Sequence, residues 1–177
     1  MVGPEGRVVL RTSRLTLTPL AGSDAAEHAR ASGDAADALR DTRAAVAQWH
    51  EHGFGPWAIR DRCDDSFLGG AELRFAGKGI EGISADEVEA GWWVTETRRS
   101  EGIAAEAMRA AIDDLWRRRP DVTSIKAYMD EGNEPSRRLA VRLGFVRVGH
   151  GRGRVGEPMT VYELRRVSGI DADADTE

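Results

Sequence analysis

The chain is poor in the residue types and patterns that mark several large functional classes. Cysteine is almost missing: Cys63 stands alone among 177 residues. A lone cysteine cannot form an internal disulfide and fits a reducing compartment, so Cys63 is read as an inert residue at a strand end. No apolar run approaches the roughly 20 residues of a membrane span, and the N-terminus lacks a signal-peptide core. The expected location is the cytoplasm, with no membrane partner. His28, His50, His52 and His150 do not cluster, and no metal-ligand spacing emerges. There is no internal repeat. No Gly-Lys-Ser/Thr opens a helix, which excludes a P-loop. No early Gly-x-Gly-x-x-Gly precedes an acidic residue, which disfavours a dinucleotide fold. Net charge is −5, but Asp171, Asp173, Asp175 and Glu177 carry much of it. The body is near neutral and its arginines are scattered, so it lacks the basic face of a nucleic-acid binder.

What is present suits one globular domain. The hydrophobic fraction of 41% supports a core, and the charged fraction of 31% is of mixed sign. Met1 to Gly6 reads as a loose end, and residues 168–177 as a disordered acidic tail after a domain at 1–167. Leu15 to Thr18 alternates and Pro19 limits it, as in an edge-type strand. Ser23-Asp24 offers a helix N-cap before an Ala-rich stretch, and Gly33-Asp34 separates it from a second helix ending near Gly53. Phe54 to Arg60 and Phe67 to Phe75 form a hairpin. Val88 to Val94 is apolar apart from Glu89, which suggests a central strand. Ile103 to Arg118 is an amphipathic helix closed by Pro120, with Asp113–Arg117 and Asp114–Arg118 as pairs on its wet side. Ser124 to Met129, Glu134 to Leu143, Phe145 to Gly149 and Thr160 to Arg166 complete the order β-α-α-β-β-β-α-β-α-β-β. That order is α/β or α+β with one mixed sheet.

The most informative segment is Arg98-Arg99-Ser100-Glu101-Gly102-Ile103-Ala104. It leaves the strand Trp92-Trp93-Val94 and opens the long helix. A Gly in a turn at a helix N-terminus presents several backbone N–H groups together with the positive end of the helix dipole, which suits a phosphate. Arg99, Gly102 and Ala104 match Arg/Gln-x-x-Gly-x-Gly/Ala, a pattern that resembles the acetyl-CoA pyrophosphate loop of the GNAT acyltransferase superfamily. A second block, Asn133-Glu134-Pro135-Ser136 to Leu143-Gly144-Phe145, is similar to a signature of the RimJ/RimL-like branch that acetylates ribosomal-protein N-termini. Leu10 to Leu20, Gly53 to Ile59, Phe67 to Gly70 and Glu89 to Val94 resemble that branch's first four strands, so the likeness runs from about residue 10 to 166.

The resemblance implies a single mixed, mostly antiparallel sheet flanked by helices, with splayed central strands. It implies an N-acetyltransferase that uses acetyl-CoA as co-substrate, needs no metal, and acetylates a protein N-terminal α-amine or a small-molecule amine. A homodimer is compatible with it. The backbone of Trp93 and Val94 would pair with pantetheine. Arg98, Arg99, Ser100, Glu101, Gly102, Ile103 and Ala104 would hold pyrophosphate. Ser100 and Glu101 depart from the small or basic residues common there, so the Glu101 side chain is expected to face water, with Arg98 and Arg99 compensating. Asn133 would bond the pantetheine arm, and Ser136 would donate to the departing thiolate. An α-amine titrates near 8 and needs only modest help to lose its proton. Glu89, at a position often acidic in this branch, is the expected general base, directly or through water, with Glu72 on the neighbouring strand as a second carboxylate for the amine. Arg137 and Arg138 read as a solvated helix face. Trp49, Trp57 and Trp92 read as core, with one of them a candidate for lining the acceptor cleft. Two rival readings are a non-catalytic acyl-CoA-binding regulatory module, suggested by Glu101, and a donor such as succinyl-CoA whose extra carboxylate pairs with Arg152 to Arg154.

Overall fold

The computed structural model describes residues 8–167; the expected loose end and acidic tail lie outside them. Eight strands form one sheet in the order β1-β2-β3-β4-β5-β6-β8-β7. They are β1 (Leu10–Arg11), β2 (Leu15–Pro19), β3 (Trp57–Asp61), β4 (Phe67–Phe75), β5 (Val88–Val94), β6 (Ser124–Asp130), β7 (Val146–Arg152) and β8 (Pro158–Arg165). Every neighbouring pair is antiparallel except β5 and β6. The helices are α1 (Ala25–Ser32), α2 (Ala35–His52), α3 (Ile103–Arg118) and α4 (Glu134–Leu143). The sheet is therefore mixed and mostly antiparallel, as the resemblance implied. The short β1 takes the outer edge that the alternation had suggested for β2, which pairs with β3 on its other side.

Strand alternation sorts the side chains into two layers. Leu15, Leu17, Ile59, Ala71, Leu73, Ala90 and Ile125 face α3, whose Met108, Ala111 and Leu115 complete the main core. On the opposite face Ala58 and Leu20 pack on Ala45 of α2, and Tyr128 and Val161 pack under Ile80 and Ile83 of the long β4–β5 connection. Gly70, Glu72 and Arg74 alternate with the core residues of β4 and so project onto this second face. Asp34 caps α2 by accepting from the N–H groups of Ala36 and Asp37, and Gly53 ends that helix at φ +72°. Asp114 is buried, not on the wet side, where Arg118 at 2.9 Å and Arg117 at 3.3 Å cover it.

Candidate active site at the strand fork

The centre of the sheet opens between β5 and β6. These two parallel strands pair only at Val88↔Ile125 and Glu89↔Lys126. Beyond Glu89 they diverge, and the edge of β5 from Ala90 to Val94 faces a cleft. On its other side β5 stays in unbroken register with β4, from Gly69↔Val94 to Phe75↔Val88. β4 therefore holds the open edge in place. Trp93 lies across Gly70, where a Cβ would meet its Nε1 at 2.6 Å, and stacks on the buried His28 of α1 at 4.9 Å between ring centroids. A side chain at position 70 would lift Trp93 and distort the edge.

The segment after β5 makes a 3₁₀ turn over Glu96–Arg98 and then enters α3 through two left-handed residues, Ser100 (φ +67°) and Gly102 (φ +78°). The first N–H groups of α3 have no intrahelical acceptor and point out of this turn, which makes an anion-binding concavity. Arg98 is held by Glu101 at 2.9 Å and Asp61 at 3.3 Å. Arg14 on the β1–β2 connection donates to the Glu101 carbonyl at 3.0 Å and pairs with Glu106 at 2.7 Å. Arg14 thus braces the turn from a distant part of the chain, which no local pattern signalled.

One cleft of about 630 Å³ gathers Trp93, Val94, Arg98, Arg99, Ser100, Gly102, Ile103, Ala104, Asn133 and Ser136. Glu101 does not line it, because its carboxylate is turned onto Arg98. The cleft also takes in Pro135, Arg138, Leu139 and Arg142 from α4. Their helical spacing was available in the sequence, but which face of α4 met the cleft was not. Arg138 borders the cleft yet stays largely solvated, as expected, and shares Glu134 (3.3 Å) with Arg137 (2.6 Å). Four guanidinium groups and no carboxylate line this cleft.

A second cleft of about 290 Å³ adjoins it and shares Trp92, Asn133 and Ser136. Its walls carry Glu72, Arg74, Glu89, Tyr128 and Asp130. Glu89 is only 2% exposed. Arg74 Nε donates to its Oε1 at 2.6 Å, and Arg154 approaches its Oε2 at 3.5 Å. Glu72 has a side chain 24% exposed and lies 3.5 Å from Arg74 Nη1. Burial pushes the Glu72 carboxyl above the usual carboxylate range; Arg74 opposes the rise, while Asp41 and Glu89 add to it. Asn133 caps α4, its side-chain oxygen accepting the Ser136 N–H at 3.2 Å. That leaves the Asn133 amide NH₂ and the Ser136 hydroxyl at the junction of the clefts. Arg154 donates to Tyr128 Oη at 2.5 Å and to the Ala76 carbonyl at 2.6 Å, and Arg152 donates to the Gly156 carbonyl at 3.0 Å. The basic loop is thus engaged within the protein. A larger groove of about 710 Å³ between α3 and β7 is mainly apolar and shares no residue with the fork.

An open strand fork, a glycine turn at a helix start and two clefts of differing charge thus meet at one place. The acetyltransferase (GNAT) domain model matches residues 14–146, and the chain belongs to that family. Among solved structures, a Bordetella pertussis protein assigned to GnaT-family acetyltransferases shares 26% identity, with 89% of this chain and 99% of that one covered and a TM-score of 0.78. The ribosomal-protein-S5-alanine acetyltransferase of Vibrio fischeri shares 14% identity, covering 91% and 98%, at a TM-score of 0.71. The microcin C7 self-immunity acetyltransferase MccE, solved with acetyl-CoA and AMP, shares 13%, covering 88% and 94%, also at 0.71. These last two show likeness of fold. No curated protein matches the chain significantly.

Proposed function

We propose that this protein transfers the acetyl group of acetyl-CoA to a primary amine, either a protein N-terminal α-amine or a small-molecule amine, by direct attack. The observation that carries the reading is the junction at Trp92, Asn133 and Ser136 of an arginine-lined cleft with a carboxylate-bearing one. An anionic donor suits the first and a cationic amine suits the second. The turn from Ser100 to Ala104 would take the pyrophosphate, with Arg98 and Arg99 beside it. The open edge at Trp93 and Val94 offers strand-like hydrogen bonds to the pantetheine amides. Asn133 would bond the same arm, and the Ser136 hydroxyl would donate to the thiolate as the C–S bond breaks. Of the carboxylates lining the second cleft, Glu72, Glu89 and Asp130, the first two are the candidates to assist the amine. In this reading residues 1–167 form the catalytic domain.

The module reading rested on Glu101 repelling phosphate. Its engagement with Arg98 removes that support, and the partners of Arg152 and Arg154 likewise weaken the case for a dicarboxylate donor. The test is a free-thiol release assay with acetyl-CoA and a panel of peptides and small amines. Turnover on at least one amine is expected. Tight acetyl-CoA binding without turnover on any acceptor would establish the module instead, and absence of binding would defeat both readings.

A further inference from the structure

We infer that Glu72, rather than Glu89, takes the proton from the acceptor amine, and that Glu89 positions the machinery by anchoring Arg74. The inference rests on the acetyl-transfer reading above and assigns the base within it.

The register of the two strands separates the carboxylates. Glu89 pairs with Lys126 across β5 and β6, at the last point where those strands are joined, and opposes Arg74 on β4. It therefore sits at the closed base of the fork. Glu72 opposes Gly91, two positions further along β5 and inside the open stretch. Gly91 has no side chain, and a Cβ there would lie 3.4 Å from Glu72 Oε2. The Glu72 carboxylate thus overhangs bare backbone beside Trp92, one of the three residues common to both clefts.

The partners point the same way. Glu89 is enclosed between the guanidinium groups of Arg74 and Arg154, with Tyr128 close by and bonded to Arg154. Arg74 holds Glu89 through Oε1 and Arg154 lies 3.5 Å from Oε2, so at the closed base of the fork Glu89 serves as an anchor. Glu72 has only the longer contact to Arg74. The other charged groups acting on it are Glu89 on β5, Asp41 on α2 and, when protonated, His28 on α1, while Asp130 of β6 lines the same cleft. Burial raises its proton affinity, which brings it closer to that of an α-amine and favours transfer.

Glu72 removes one proton from the ammonium form and passes it to solvent. The neutral nitrogen attacks the thioester carbonyl, forming C–N. As the tetrahedral adduct collapses, C–S breaks, and the nitrogen's second proton passes through the Ser136 hydroxyl to the thiolate. The products are the amide, CoA thiol and one released proton.

The test compares Glu72→Gln, Glu72→Asp and Glu89→Gln, using the best alkylamine acceptor of the wild-type enzyme and hydroxylamine, which is already neutral at pH 7. Glu72→Gln should lower kcat on the alkylamine by about 10²–10⁴-fold, the range for a lost acid–base group. The KM for acetyl-CoA should stay within about twofold, and the loss should shrink sharply with hydroxylamine or on raising pH. Glu72→Asp should recover part of the rate. Three results would overturn the assignment: an unchanged kcat in Glu72→Gln, an equal loss on both acceptors, or the hydroxylamine-sensitive loss appearing in Glu89→Gln. A wild-type enzyme with no turnover on any amine would instead defeat the functional reading itself.

Discussion

Replacing Glu89 by Gln separates an anchor from a base by its effect on stability. In the wild type its carboxylate accepts from Arg74 at 2.6 Å, faces Arg154 at 3.5 Å and is 2% exposed. Removing one member of a buried ion pair typically costs about 3–5 kcal/mol, because the remaining charge is left without compensation. The lower end applies here, since Arg74 keeps Glu72 at 3.5 Å and is itself 34% exposed. For a domain of this size each kcal/mol shifts Tm by about 2–4 °C, so a loss of about 3 kcal/mol lowers Tm by about 6–12 °C. Differential scanning fluorimetry at pH 7 measures this directly. Chemical denaturation should show a lower midpoint with an unchanged slope. The control is Glu72→Gln, which leaves the Glu89 pairs in place. A Glu89→Gln protein that melts within a degree of wild type would refute the anchoring argument, whatever its activity.

Three other outcomes are expected. The raised Glu72 carboxyl means that the folded state binds a proton more tightly than the unfolded chain does, so this group's contribution favours folding at low pH and is lost as pH climbs from the ordinary carboxylate value to the raised one. Glu72→Gln should therefore be more stable than wild type above that window and equal to it below, as read from melting curves against pH; a variant less stable at pH 8 would contradict the sign. Gly102→Ala forces an L-residue into φ +78°, at a cost of about 1–2 kcal/mol, and should weaken acetyl-CoA binding in a tryptophan-fluorescence titration through Trp92 and Trp93; unchanged affinity would remove the turn from the donor site. Ser136→Ala keeps the N–H that Asn133 caps, so its Tm should match wild type while kcat falls about 10²-fold; the loss should be smaller for a thioester with a more acidic thiol, and equal losses would exclude a role at the leaving group.

Much of the fold was legible because its signals are local. The stripe from Ile103 to Leu115 and the stop at Pro120 mark α3, and Asn133 and Gly144 bracket α4 at its observed ends. The hairpin of β3 and β4 follows from two apolar runs around a polar turn. Less of the site could be read that way. Glu101 turns onto Arg98 three residues before it, a local pair, but the hold of Asp61 on that same Arg98 comes from β3 and shows in no local pattern. Arg14, Pro135 and Arg142 lie inside family-like segments but at positions given no role there, and they reach the site only because β2 runs beside α3's start and α4 turns one face to the fork.

The sequence by itself determined the four helices, every strand but the short β1, and the turn into α3, since periodicity, capping residues and glycine's access to positive φ act over a few residues. It also placed the candidate donor residues, because they lie within two short segments. Only the tertiary structure decided how the carboxylates divide their work. Glu72 and Glu89 look alike along the chain, each the one acid in a mainly apolar strand. Cross-strand register sets one opposite Gly91 in the open fork and the other opposite Arg74 at its closed end. Register is a property of paired strands, settled by the burial of whole faces, and no single strand carries it.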